Sequence, residues 1–182
     1  MKIGLTGTMS VGKTTLVNAL KEVPEFKDYE FSTERSKYLR DLGIPLNTDS
    51  TLKGQTIFLA ERCAELLKPE IITDRTIIDV MAFTNLSTSI SYLDKNNFIN
   101  YASRFITEYD YVFYVSPKDT IIENNGVRTI DEEYREQIDK EIINLLNNFG
   151  GSIKNLYVLY GDTQTRIEDI KKYIFPYIYN KI

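Results

Sequence analysis

Histidine is absent from the 182 residues, and cysteine occurs once, at position 63. Without histidine the chain can run neither imidazole acid–base chemistry nor a histidine-ligated metal site. A single cysteine excludes an intramolecular disulfide and suits a reducing compartment. Cys63 lies in the apolar-periodic segment FLAERCAELL, where a small buried side chain is the expected role. No apolar run approaches the roughly 18 residues of a membrane span. The first residues also lack the pattern of a signal peptide, so a cytoplasmic location without a membrane partner is expected. A basic block is missing too: 22 Lys and Arg against 26 Asp and Glu leave a net charge of −4. A protein held on nucleic acid through phosphate contacts would carry such a face, which makes nucleic acid a weak expectation as a partner. Repeats, low-complexity tracts and composition breaks are absent as well, and residues 1–182 are expected to form one domain. A homodimer stays open.

What is present is an alternation of short apolar runs and longer helical patterns. KIGLT, YEFST, EIITD, YDYVFYVSP and NLYVLYGD read as five strands. Between and after them come KTTLVNALKEV, ERSKYLRDLG, TLKGQTIFLAERCAELLK, RTIIDVMAFTNL, SYLDKNNFINYASRFITEY, DEEYREQIDKEIINLLNNFGG and TQTRIEDIKKYIFPYI, all with helical periodicity. Leu16, Val17, Leu20 and Val23 share one face of the first helix. Leu93, Phe98, Ile99 and Phe105 are expected core contacts of the fifth. Apolar strands separated by helices imply an α/β protein, with a parallel sheet covered on both faces. The polar stretch SPKDTIIENNGVRTI is expected to be a loop within that domain.

The first strand runs into Gly7-Thr8-Met9-Ser10-Val11-Gly12-Lys13-Thr14, which matches the P-loop pattern G-x-x-x-x-G-K-[ST]. Its glycines let the backbone turn and point amide N–H groups inward, and the following helix adds its positive dipole end. Lys13 should reach the β- and γ-phosphates, and the Thr14 hydroxyl should ligate Mg2+. Gly7, Thr8, Met9, Ser10, Val11, Gly12, Lys13, Thr14 and Thr15 are therefore expected to bind ATP.

The loop does not choose among nucleotide-binding classes, so the other strand ends matter. Asp74-Arg75 closes the third strand, and in open α/β sheets ligands bind outside the carboxyl ends of strands. Asp74 can hold Mg2+ or accept a proton from an attacking oxygen, and Arg75 can clamp an acceptor. The plainer alternative is an Asp–Arg pair capping a strand end. Asp79, four residues after Arg75, can pair with it or reach an acceptor hydroxyl. Glu34 and Arg35 follow the second strand as candidate acceptor contacts, against the plainer role of a solvated helix start. Gln55 is a candidate reader of a base edge. After strand four, a Gly-containing segment about 117–135 that carries Arg128 and Arg135 is expected to close over the phosphates as a lid. After strand five, Asp162 and Arg166 are candidate adenine contacts, with Asp162 equally well explained as a helix N-cap.

Taken together, Gly7–Thr14, Asp74-Arg75 and the arginine-bearing segment resemble the P-loop nucleoside and nucleotide kinases. More narrowly, STERSKYLRDLG, TDRTIIDVMAFTNL and NNGVRTIDEEYREQID are similar to a subfamily of ribosylnicotinamide kinase domains and small phage-encoded kinases. Thymidylate kinases share a comparable Asp-Arg pair but usually carry an aromatic third residue where this chain has Thr76. The resemblance implies a three-layer α/β/α fold whose five-stranded parallel sheet has the order 2-3-1-4-5. It also implies Mg-ATP as donor, a nucleoside or nucleotide acceptor, and Glu34 and Arg75 facing that acceptor. Lys13, Arg128 and Arg135 would then stabilise the transferred group, and Asp74 would orient or deprotonate the attacking oxygen. Three acceptors fit: a deoxynucleoside monophosphate, the leading expectation, a nucleoside of the ribosylnicotinamide type, or a modified base in DNA. A nucleotide switch or regulatory ATPase is the rival of another class. Against it, SPKDTIIENN after strand four lacks an Asn-Lys-x-Asp base reader, and an AAA-type machine would need a longer chain.

Overall fold

Backbone registration explains how distant segments meet. The computed structural model describes residues 1–33, 36–118 and 132–179. Five strands, β1 (Lys2–Thr6), β2 (Glu30–Ser32), β3 (Ile71–Asp74), β4 (Tyr111–Val115) and β5 (Leu156–Leu159), form one sheet of order β2-β3-β1-β4-β5. All four pairings are parallel, and Leu5 stands opposite both Asp74 on β3 and Phe113 on β4. The ladder continues one step, with Arg75 N donating to Leu5 O at 2.9 Å. The turn after β1 and the turn after β3 therefore open side by side. This is the fold expected from the sequence.

Alternation along the central strands sends side chains to two cores. Ile3, Leu5, Ile72, Phe113 and Val115 pack with α1 (Lys13–Leu20) and α7 (Thr163–Ile174). Val112 and Tyr114 face the other layer, built from α3 (Leu52–Glu65), α4 (Ile77–Asn85), α5 (Tyr92–Ala102) and α6 (Glu132–Phe149). Between α1 and α3 lies α2 (Ser36–Asp41), followed by Gly43 at φ 82°, a left-handed position that glycine adopts without a Cβ clash. The last helix, α8 (Pro176–Tyr179), follows Phe175, where Pro176 ends α7.

Two local expectations need correction. The pattern from Ser91 to Tyr109 is not one helix: α5 stops at Ala102 and a 3-10 turn covers Ser103–Glu108. Leu93 is 67% exposed, whereas Phe98, Ile99 and Ala102 are buried and Phe105 packs at the cluster's edge. At 100° per residue Leu93 points about 140° away from Phe98, so the helix turns it outward. The lone Cys63 is partly buried against the core, and burial pushes its thiol pKa up. No helix among the described residues is long and apolar enough to cross a membrane.

Candidate active site

The P-loop takes the backbone its glycines permit. Gly7 has φ 150°, Ser10 58° and Gly12 85°, and Gly12 caps α1 in the left-handed region. A Cβ on Gly7 would stand 2.7 Å from Val115 O, so both torsion and space demand glycine there. Turning amides inward leaves the loop's carbonyls facing outward, and each needs a donor. Three cations supply them. Lys13 Nζ donates to Gly7 O at 2.7 Å and Thr8 O at 2.6 Å. Arg135 Nε, on α6, donates to Met9 O at 2.9 Å, and Thr8 Oγ1 donates back to Arg135 O at 2.7 Å. Arg166 Nη1, on α7, donates to Val11 O at 2.7 Å, while Nη2 reaches Ser116 O at 3.2 Å. The carbonyls of residues 7, 8, 9 and 11 are thus each held by a positive side chain.

That arrangement changes the expected part of Arg166. It is 3% exposed and committed to the main chains of the P-loop and of the residue after β4, so it braces the loop from below instead of stacking on a base. Burial holds its guanidinium below the usual arginine range. Removing it leaves two buried carbonyls without those donors, at about 1–3 kcal/mol each. In an Arg166→Ala variant we expect a stability loss of about 3 kcal/mol by denaturant titration and about tenfold weaker ATP binding by nucleotide titration, about 1.4 kcal/mol. Asp162 caps α7, accepting from Thr165 N at 2.8 Å, and that bond holds its pKa below the usual carboxylate range. The capping role is the one observed.

Beside the loop, Thr14 Oγ1 donates to Asp74 Oδ2. Thr14 is exposed at the start of α1, and Asp74 is 1% exposed at the end of β3. A hydroxyl and a carboxylate next to the P-loop are hard oxygen donors, the set Mg2+ takes when phosphate oxygens and water complete its shell. Among the described residues no group of three or more acidic or cysteine side chains could hold a metal by itself. Thr15, the next residue, is exposed.

Arg75 follows Asp74 at φ 78°, an uncommon conformation for a residue with a Cβ and one that concentrates at functional sites. Its Nη1 lies 3.5 Å from Asp79 Oδ1, and its guanidinium carbon stands 5.0 Å from the Phe83 ring centre. Asp79 is fully buried. Its Oδ2 accepts from Thr76 N at 2.8 Å and Thr76 Oγ1 at 3.0 Å, completing a capping box in which Thr76 Oγ1 accepts from Ile78 N. Asp79 therefore both starts α4 and answers the charge of Arg75. Tyr134, on α6, is buried near Arg75 and 6.4 Å from Phe83 between ring centres, and burial pushes its hydroxyl pKa up. Gln55 is buried on α3, 3% exposed. Glu34, Arg35 and Arg128 lie outside the described residues, as does the lid between 119 and 131. The structure thus brings Gly7–Thr15, Asp74, Arg135 and Arg166 together at the carboxyl end of the central strands, with Arg75 and Asp79 beside them.

A family model described as an AAA domain matches residues 2–166. The chain belongs to that family. The match runs from β1 into the first turn of α7. No protein of curated function matches the chain's sequence. Among solved structures, deoxyadenosine kinase from M. mycoides with bound dCTP is 24% identical, covers 96% of this chain and 98% of its own, and superposes with a TM-score of 0.70. NadR in complex with NR is 18% identical with a TM-score of 0.74 over 94% of this chain, which spans half the length of that protein. Thymidylate kinase from Ehrlichia chaffeensis is 17% identical, with a TM-score of 0.60 over 94% of this AAA-domain chain and 97% of its own. The fold is shared with P-loop nucleoside and nucleotide kinases, as the motifs imply.

One residue of this site escaped the sequence reading. Arg62 sits on α3 with 3% exposure, its Nη1 donating to Asp74 O at 3.0 Å and Arg75 O at 3.4 Å. The signal was a helical stripe: Gln55, Leu59, Arg62 and Leu66 recur at spacings of four, three and four, and all are buried. A charged residue in a buried stripe needs partners.

Proposed function

We propose that the chain is an ATP-dependent kinase transferring a phosphoryl group to a nucleoside, with Mg2+ as cofactor. The observation that carries the acceptor class is the Arg75–Asp79 pair. An arginine meant for a phosphate monoester would offer uncompensated charge to a dianion, whereas Arg75 stands 3.5 Å from a fully buried carboxylate. A compensated pair suits a neutral acceptor with hydroxyl groups. Sequence reasoning leaned toward a deoxynucleoside monophosphate because paired arginines near the acceptor, Arg35 and Arg75, suit a phosphate, with the pairing of Arg75 and Asp79 left open. The pairing of Arg75 moves the weight. The support is consistent with a fold shared with deoxyadenosine kinase and NadR, proteins whose structures carry dCTP and NR.

In this reading Gly7–Thr15 cradle the donor's phosphates, and Lys13 and Arg135 neutralise charge that develops on the transferred group. Thr14 and Asp74 would hold Mg2+, which supplies further charge neutralisation between the phosphates. Arg75, Asp79 and Gln55 face the acceptor, joined by Glu34 and Arg35. Asp74 orients the attacking hydroxyl, or takes its proton.

ADP release measured against a panel of nucleosides and their monophosphates tests both levels. At least one nucleoside should support turnover that no monophosphate matches within about tenfold, 1.4 kcal/mol of discrimination. ADP appearing at the same rate without any acceptor would instead identify an ATPase. Arg75→Ala should reduce acceptor-dependent turnover while ATP affinity stays within about threefold. Equal loss in both would move Arg75 to the donor side.

A further inference from the structure

We infer that Arg62 is a positioning residue for the Asp74–Arg75 turn, holding both main-chain carbonyls so that the Asp74 carboxylate is presented to Thr14. The inference rests on the reading above, in which Asp74 serves the donor's metal. The turn needs such a holder. Arg75 occupies the left-handed region without being glycine, and backbone in that state persists when its surroundings over-determine it. Arg75 N is fixed to Leu5 O at 2.9 Å, and the carbonyls on either side of it, those of Asp74 and Arg75, lie at the point where β3 ends. Arg62 Nη1 meets both of them, at 3.0 and 3.4 Å.

Arg62 is itself fixed from behind. Its Nη2 donates to Glu65 Oε1 at 2.8 Å, one turn along α3, and the same oxygen accepts from Ser32 Oγ at the end of β2. Glu65 is largely buried and its pKa is raised by that burial, despite the guanidinium beside it. The carboxylate gives the guanidinium a set orientation, and the planar fork then offers its other edge to the turn, a geometry that a lysine ammonium would not reproduce. Ser32, Glu65 and Arg62 form a continuous tie between the carboxyl ends of β2 and β3. These are the two strand ends from which the acceptor contacts emerge.

The test uses the full chain with Arg62→Met and Glu65→Leu together, so that neither charge is left alone in the interior. The primary readout is the gain in affinity for a fluorescent ATP analogue when Mg2+ is added, a quantity that involves no acceptor. We expect affinity without Mg2+ to stay near wild type, since the P-loop is untouched, and the Mg2+-dependent gain to shrink about fivefold as the Asp74 carboxylate loses its register. Acceptor-dependent kcat should fall about thirtyfold, as misplacement by an ångström can cost a hundredfold, with the KM for ATP little changed. A Mg2+ gain within twofold of wild type overturns the inference, and so does a parallel loss of affinity with and without Mg2+, which marks a generally loosened fold. If the double variant does not fold, Arg62→Lys is judged on the same ratio. Absence of acceptor-dependent ADP release in the wild type would refute the kinase reading alone, because the Mg2+ ratio still decides the part of Arg62.

Discussion

A Lys13→Ala variant is expected to lose about a thousandfold in turnover, roughly 4 kcal/mol of transition-state stabilisation, while keeping its fold. The expectation comes from the division of labour among the three cations on the loop. Arg135 and Arg166 bind Met9 O and Val11 O from outside the motif, and both remain in the variant. Lys13 alone belongs to the loop, opens α1, and lies 5% exposed with its ammonium between the carbonyls of Gly7 and Thr8. A compact charge on a flexible stem can keep those carbonyl contacts and turn its third hydrogen toward a phosphate oxygen. Alanine removes the positive charge expected beside the transferring group and also the donor to Gly7 O and Thr8 O. A stability loss of about 3 kcal/mol, like that of Arg166→Ala, should therefore accompany the loss of catalysis, with the loop still braced by two arginines. Circular dichroism and thermal melting would register the stability loss, coupled ADP release the loss of catalysis. Turnover within tenfold of wild type would remove Lys13 from the donor site. Lys13→Arg should not restore activity, because a planar fork cannot occupy the space between two carbonyls spanned by one ammonium.

The donor side was legible because its chemistry is written in consecutive residues. Glycine spacing, a lysine and a hydroxyl between a strand and a helix suffice to place the P-loop, and the strand order brings Asp74 beside it as parallel pairing requires. The acceptor side was legible only as a set of candidates. Asp79 follows Arg75 by four residues, but spacing alone could not say that its second oxygen would close a capping box with Thr76 and bury the pair. Arg166 reads as a candidate adenine contact on a helix start until α7 packs against the P-loop. Leu93 and the break after Ala102 show the same limit, since periodicity sets a face but not where a helix gives way to a 3-10 turn. What the sequence withheld in each case was a tertiary contact, and Arg62 shows that even such a contact can leave a trace when a charge interrupts a buried stripe.

The second large effect concerns Asp74, for which Asp74→Asn is expected to lower turnover by a hundred- to a thousandfold. Asparagine matches the shape of aspartate, and its amide oxygen can still accept from Thr14 Oγ1, so the turn held by Arg62 should keep its geometry. Only the negative charge and one hard oxygen are lost. Those are the properties that matter for both roles open to Asp74, and the two roles answer differently to Mg2+. If the carboxylate acts by holding the metal, raising the Mg2+ concentration should recover part of the turnover, because mass action replaces lost affinity. If it acts by taking the proton of the attacking hydroxyl, no Mg2+ concentration should help, and the loss should fall on kcat alone. Thr14 provides the control: Thr14→Ala removes the proposed metal-ligating hydroxyl and its hydrogen bond to Asp74 but leaves the carboxylate itself in place, so it should show the Mg2+-recoverable loss whichever part Asp74 plays. Two variants with the same Mg2+ recovery would make Asp74 and Thr14 partners in holding the metal. Recovery in Thr14→Ala alone would leave Asp74 as the base.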